Sequence, residues 1–151
     1  MAVEQFLTKD EEQKVVDAIA RAENKTSGEI RVHIENKCDK DDPLERAKSI
    51  FKELHMNRTE LKTGVLVYVA TDDKKVAVFG GQGIHEKVGQ SFWDDVVQLI
   101  IQHFKDQQFQ FGLEKAIDRI GEKLKELFPV QEDDINELKD DISYNDNRDS
   151  Q

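Results

Sequence analysis

Apolar residues recur along this chain with two different periods. From Thr8 to about Asn24 they fall three or four positions apart (Val15, Val16, Ile19, Ala20), which is the spacing of one helix face. Thr8 and Glu11 have the spacing of a capping box, in which each side chain reaches the other's backbone N–H. Thr26-Ser27-Gly28 breaks that helix. Glu29 to Asn36 then alternates: Ile30, Val32 and Ile34 face one way, and Glu29, Arg31, His33 and Glu35 the other. That pattern predicts a half-buried strand. Asp42 suits an N-cap and Pro43 a first helical residue, and Leu44, Ala47, Ile50, Phe51 and Leu54 continue at helical spacing.

Val65 to Ala70 is an unbroken β-branched and aromatic run, the mark of a strand covered on both faces. Thr71-Asp72-Asp73-Lys74 reads as a tight turn, and Lys75 to Phe79 as the returning strand of a hairpin. Gly80-Gly81-Gln82-Gly83 ends it. A further helix is expected from about Ser91, with Trp93, Val96, Val97, Ile100, Ile101 and Phe104 on its apolar face. A last one follows Gly112, built on Leu113, Ala116, Ile117, Ile120, Leu124, Leu127 and Phe128, and Pro129 stops it.

Helices on both faces of a small mixed sheet would bury all of these stripes, so the expected class is an α/β sandwich. Three strands are placed and the position of a fourth is left open. A length of 151 residues suits one domain, taken as residues 1–130. Residues 131–151 are expected to be an acidic, partly disordered tail, pinned at Ile135 and Leu138 and frayed after Tyr144.

That tail sets the charge. It holds eight acidic residues against Lys139 and Arg148, and so supplies −6 of the net −10. An acidic balance argues against a nucleic-acid or anionic-lipid partner, which needs a basic face. Cys38 is the only cysteine, so there is neither a disulfide framework nor a cysteine zinc set. No signal peptide is visible at Met1–Leu7 and no apolar stretch approaches a membrane span. A cytoplasmic protein is expected.

Several segments together resemble a known family. They are Thr26 to Val32, Thr63 to Val69 with the Asp72-Asp73-Lys74-Lys75 hairpin, Gly80-Gly81-Gln82-Gly83-Ile84, and Phe109-Gln110-Phe111-Gly112-Leu113. In order and spacing they resemble the TPM domain, named from proteins of the thylakoid lumen, of photosystem II repair and of acetylcholine-receptor modulation. The likeness spans roughly residues 4–130, and Asn136 to Asp140 resembles the tail of the soluble bacterial branch. It implies a Rossmann-like α/β/α sandwich, divalent-cation binding as in some members, and weak acid phosphatase activity as claimed for plant relatives. Two positions depart from the family pattern: Thr63 stands where an Asn is expected and Gly81 where an Asp is expected. A family site that uses that Asp is altered here.

The residues themselves point to one rim. A strand, crossover helix and strand make a right-handed unit whose strands run parallel and end at the same edge. The carboxyl edge of an open α/β sheet is where ligands bind. Asp39, Asp41 and Asp42 follow the first strand and Asp72 and Asp73 the second, giving five hard oxygen donors suited to Ca²⁺ or Mg²⁺. The bland alternative is that Asp42 caps a helix and Asp72-Asp73 populate a turn.

The leading expectation is therefore a divalent-cation-binding domain with a regulatory or protein-interaction role. A metal-dependent acid phosphatase is the enzymatic alternative, and a plain protein-interaction domain the third. An EF-hand counted from Asp39 is excluded, because Leu44 stands at the glycine position and Ile50 at the bidentate glutamate. Asp39-Lys40-Asp41 has the form of an aspartate-nucleophile motif but lacks its apolar lead-in. Glu86 stands at the last glycine position of a dinucleotide loop. The four histidines have no zinc spacing, and no nucleophile–base–orienter set is visible.

Overall fold

The first helix, α1 (Lys9–Glu23), starts at the capping box read from sequence: the Glu11 N–H donates to Thr8 Oγ1 at 3.1 Å and the Thr8 N–H donates to Glu11 Oε1 at 2.9 Å. The structure, a computed structural model, describes residues 6–58, 62–130 and 142–145. The order continues β1 (Glu29–Glu35), α2 (Pro43–Glu53), a short 3₁₀ turn at Met56–Arg58, β2 (Gly64–Ala70) and β3 (Lys75–Gly80). It closes with α3 (Gln82–Val88), α4 (Gln90–Lys105), α5 (Phe109–Leu127) and β4 (Ile142–Asn145).

The sheet runs β3-β2-β1-β4. β1 is parallel to both β2 and β4, and β2 pairs antiparallel with β3. One face buries Ile30, Val32, Ile34, Val65, Val67, Val69, Val76 and Val78 against the apolar stripes of α1, α4 and α5. The other buries Leu66, Tyr68, Ala70 and Ala77 under Ala47, Ile50 and Phe51 of α2 and under Met56. This is the expected α/β architecture, a mixed four-stranded open sheet with helices on both faces.

Four local expectations change. β1 is not half-buried: Glu29, His33 and Glu35, on its polar face, are all at most 5 % exposed. The reason is position, since β1 lies between β2 and β4, and alternation marks a shared face without saying whether that face is covered. The fourth strand, left unplaced by sequence, is β4, drawn from within the stretch read as a tail; Ile135 and Leu138 lie outside the described residues. Helix begins within the glycine segment, at Gln82, with Gly81 as the N-cap of α3. Gly112 lies inside α5 rather than before it, where an added Cβ would come 3.0 Å from His103 and 3.1 Å from Phe104, so the missing side chain lets α4 and α5 close on one another.

The glycine loop is a packing device. The Gly81 N–H donates to Gly64 O at 2.8 Å, and the Gly83 N–H donates to Lys62 O at 2.9 Å. A Cβ on Gly81 would stand 2.5 Å from that Lys62 carbonyl, which is backbone and has little freedom to yield. Gly81→Ala is therefore expected to cost about 1–3 kcal/mol by overpacking, and Gly81→Asp, with its larger side chain, at least as much. Urea unfolding followed by circular dichroism measures both; a change within about 0.5 kcal/mol, the usual scatter for innocuous surface substitutions, contradicts the packing argument.

Candidate functional site

β1 and β2 end level, with Glu35 opposite Ala70, and the two chains stay paired past their strand ends. The Thr71 N–H donates to Glu35 O at 2.9 Å and the Asp72 N–H to Asn36 O at 2.8 Å. The loop after β1 and the hairpin turn after β2 therefore leave the carboxyl rim side by side. Asp73 Oδ2 then accepts from the Cys38 N–H at 2.7 Å, tying the turn to the loop. The Lys75 ammonium lies 3.4 Å from Lys40 O and 3.3 Å from Asp41 O, so two loop carbonyls converge on one positive charge.

The five sequence-selected aspartates are not equivalent on this rim. Asp42 caps α2, its Oδ1 accepting from the Leu44 N–H at 2.9 Å, with Pro43 at the first turn as its chemistry suggests. Asp73 is engaged with the Cys38 amide, and Asp39 Oδ1 lies 3.7 Å from Arg46 Nε. Asp41 and Asp72 are exposed, and their carboxylates accept no hydrogen bond from described residues. Among the described residues, no three His, Cys, Asp or Glu side chains are disposed as a group to hold a metal ion.

Behind the rim sits a buried polar cluster that alternation alone did not reveal. Glu35, fully buried, receives Arg46 Nε and Nη2, each at 2.8 Å, in a two-pronged pair. The Tyr68 hydroxyl donates to the same carboxylate, Asn145 Nδ2 donates to it at 3.3 Å, and His33 Nε2 stands 3.5 Å away. His33 Nδ1 is 2.7 Å from Ser143 Oγ, so Ser143 and Asn145, two residues apart on β4, both reach this cluster.

Burial by itself pushes the Glu35 carboxyl up. The hydrogen bonds from Arg46 and Tyr68, the nearby His33 imidazole and the Arg46 charge outweigh burial and hold it well below the usual carboxylate range. The hydrogen bond to Glu35 raises Arg46 above its ordinary value against the effect of burial, so it stays a cation. Burial and the bond to Glu35 push the Tyr68 hydroxyl up, so it remains a neutral donor. The result is an internally neutralised strut. Arg46 continues it outward to Asp39 and, at 3.8 Å, to Glu53, which couples the buried carboxylate to the rim loop. A signal for it was available: a glutamate closing an apolar strand, eleven residues before an arginine beside the buried stripe of α2.

The neighbours of this fold among known proteins are consistent. Residues 2–123 match the family model described as the TPM domain. The NMR structure of the BA42 protein from the psychrophilic bacterium Bizionia argentinensis is 43 % identical, with a TM-score of 0.86, covering 95 % of this chain and 98 % of that one. The N-terminal domain of a protein from P. gingivalis is 14 % identical with a TM-score of 0.66, covering 80 % of this chain and 78 % of that one. That of the cg2496 protein from Corynebacterium glutamicum is 11 % identical with a TM-score of 0.57, covering 78 % and 74 %. These last two show the fold alone. No curated protein matches the chain.

Proposed function

This chain belongs to the TPM domain family, and from that premise we propose that it is a non-catalytic, divalent-cation-binding domain with a regulatory or protein-interaction role. The ion, Ca²⁺ or Mg²⁺, is assigned to the carboxyl rim. The supporting observation is the convergence of the Lys40 and Asp41 carbonyls on the Lys75 ammonium, between two aspartate-bearing loops that are stitched together. Carbonyl and carboxylate oxygens on separate short segments are what a hard cation uses.

Asp41 and Asp72 are the free donors, and Asp39 and Asp73 each keep a second oxygen. Asp42 contributes only the oxygen its cap leaves over. Binding requires the Lys75 ammonium to yield its two carbonyls, so affinity is expected to be weak, on the order of 10⁻⁴–10⁻³ M. Lysines 37, 40, 74 and 75 on the same loops offset much of the acidic charge, which points the same way.

Titration with Ca²⁺ and with Mg²⁺, followed by amide NMR, is expected to shift residues 37–43 and 71–75 together. Asp72→Asn weakens the response, and Lys75→Met strengthens it by releasing the carbonyls. Amides that stay put at several millimolar ion end this reading.

A further inference from the structure

Where α2 and α3 approach each other across the β3 edge of the sheet, a cleft of about 380 Å³ opens to solvent. Its lining is largely apolar, built on Leu44 of α2, Val78 and Phe79 of β3 and Trp93 of α4. Gly80 adds no side chain, so the Trp93 ring lies directly against the backbone there.

The polar groups of this cleft are few and of one sign. Lys48 lines it from α2 and His85 from α3. Gln82 and Gln90 also line it, but their amide nitrogens are committed, to Glu86 at 2.9 Å and to Asp94 at 3.0 Å. No carboxylate is among the described residues of the lining. That is unusual in a chain with 32 acidic residues against 22 Lys and Arg. The groove between α4 and α5 and the one between α1 and α5 both hold Asp118 and Glu122. The cleft that adjoins this one toward Val76 holds Asp42 and Asp94.

Both basic side chains are available to an acceptor. The Trp93 N–H, on a residue 2 % exposed, donates to His85 Nδ1 at 3.0 Å. The neutral imidazole therefore carries its proton on Nε2, which is left to donate. Lys48 has Glu45 at 3.4 Å, an exposed pair of the kind that contributes little and yields readily.

We propose that this cleft binds a small organic acid, one carboxylate joined to an apolar body. The carboxylate meets the Lys48 ammonium and the His85 Nε2–H at the Gly80 end, and the body lies on Leu44, Val78 and Phe79. Asp42 and Asp94, beyond the other end, repel the acid group and so fix which way round it lies. A cavity of roughly 300–1,000 Å³ with apolar walls and a few convergent polar groups is the usual seat of such a ligand.

The test compares probes that share one body and differ in charge: phenylacetate, phenylacetamide and phenethylamine. Acetate serves as the anion without a body. Each is titrated into the whole chain at constant pH and ionic strength and followed by NMR. The readouts are the backbone amides and the indole N–H of Trp93, the only tryptophan. Phenylacetate is expected to shift that indole and the amides of Leu44, Phe79, Gly80 and His85. Its dissociation constant should be on the order of 10⁻³ M, as suits a ligand of about ten non-hydrogen atoms. The amide and the amine should bind at least about tenfold more weakly, the scale of one charge-assisted contact, and acetate should leave these signals unmoved. Lys48→Met keeps the apolar stem and is expected to weaken phenylacetate about tenfold, whereas Lys48→Arg retains binding. Glu45→Gln, which releases Lys48, should tighten it about twofold. Circular dichroism confirms that each variant is folded. The proposal is overturned by signals that stay put in tens of millimolar phenylacetate, by equal responses to the acid and its amide, or by a Lys48→Met variant that binds as wild type does. These signals lie outside residues 37–43 and 71–75, so this proposal and the ion reading fail separately.

Discussion

Replacing Glu35 with alanine is expected to lower the stability of the fold by about 3–5 kcal/mol, because it strands the Arg46 guanidinium in the interior without its partner. Its remaining carboxylate neighbours, Asp39 and Glu53, stand at 3.7 and 3.8 Å and are mostly solvent-exposed, so they offset only part of the loss. The Tyr68 hydroxyl and Asn145 lose an acceptor in the same step. For a chain of this size the melting temperature should fall by on the order of 10 °C. Glu35→Ala with Arg46→Met should recover much of the loss, since removing both charges leaves nothing unpaired. A double variant whose loss equals the sum of the two single losses would mean that the pair does not act as a unit.

The same group imposes a pH dependence. The Glu35 carboxyl is depressed in the folded chain, so the unfolded chain binds its proton first as pH falls. Its contribution is therefore complete above the ordinary glutamate range, about 4.3. It shrinks steadily below that value and is not fully lost until strongly acidic pH. Denaturation measured between about pH 3 and 7 should show wild type losing stability across the acidic half of the range, and Glu35→Gln should flatten that slope. Parallel curves for the two proteins would refute the assignment.

A comparable loss, again about 3–5 kcal/mol, is expected for Trp93→Ala. Trp93 is 2 % exposed, its ring lies directly against Gly80, and it packs edge-to-face on Phe92 with centroids 5.1 Å apart. Gly80 has no side chain with which to refill the space, so the cavity persists. Trp93→Phe should cost less while still removing the donor that orients His85. Circular dichroism in denaturant measures both, and a cost below about 1 kcal/mol for the alanine variant would show that the surroundings collapse into the gap.

Much of the scaffold was legible in the residues because it depends on local chemistry. Thr8 and Glu11 announce a helix start through a bond they can make without tertiary help. Asp42-Pro43 does the same for α2, and the Thr71–Lys74 turn fixes the hairpin. The shared rim followed from one topological rule, that two parallel strands end together, and the loops do leave it side by side. What stayed hidden depends on burial by distant segments. Nothing within Glu29–Glu35 states that its charged face is covered, since the cover comes in part from Arg46, Tyr68 and β4. β4 itself is Ile-Ser-Tyr-Asn, too short to show a period and set in an acidic stretch. α3 carries one buried residue, Ile84, in seven, so it offers no apolar stripe to read.

The late position of β4 has a consequence for biosynthesis. Ser143 pairs with a strand 110 residues upstream, so nearly the whole chain must emerge before β1 acquires its second neighbour. Until then β1 is an open border of a nascent sheet, the kind of border on which newly made chains stick to one another. Its row of Glu29, Arg31, His33 and Glu35 places charge along that border throughout translation. Those side chains thus guard the unfinished molecule before they become the interior of the finished one.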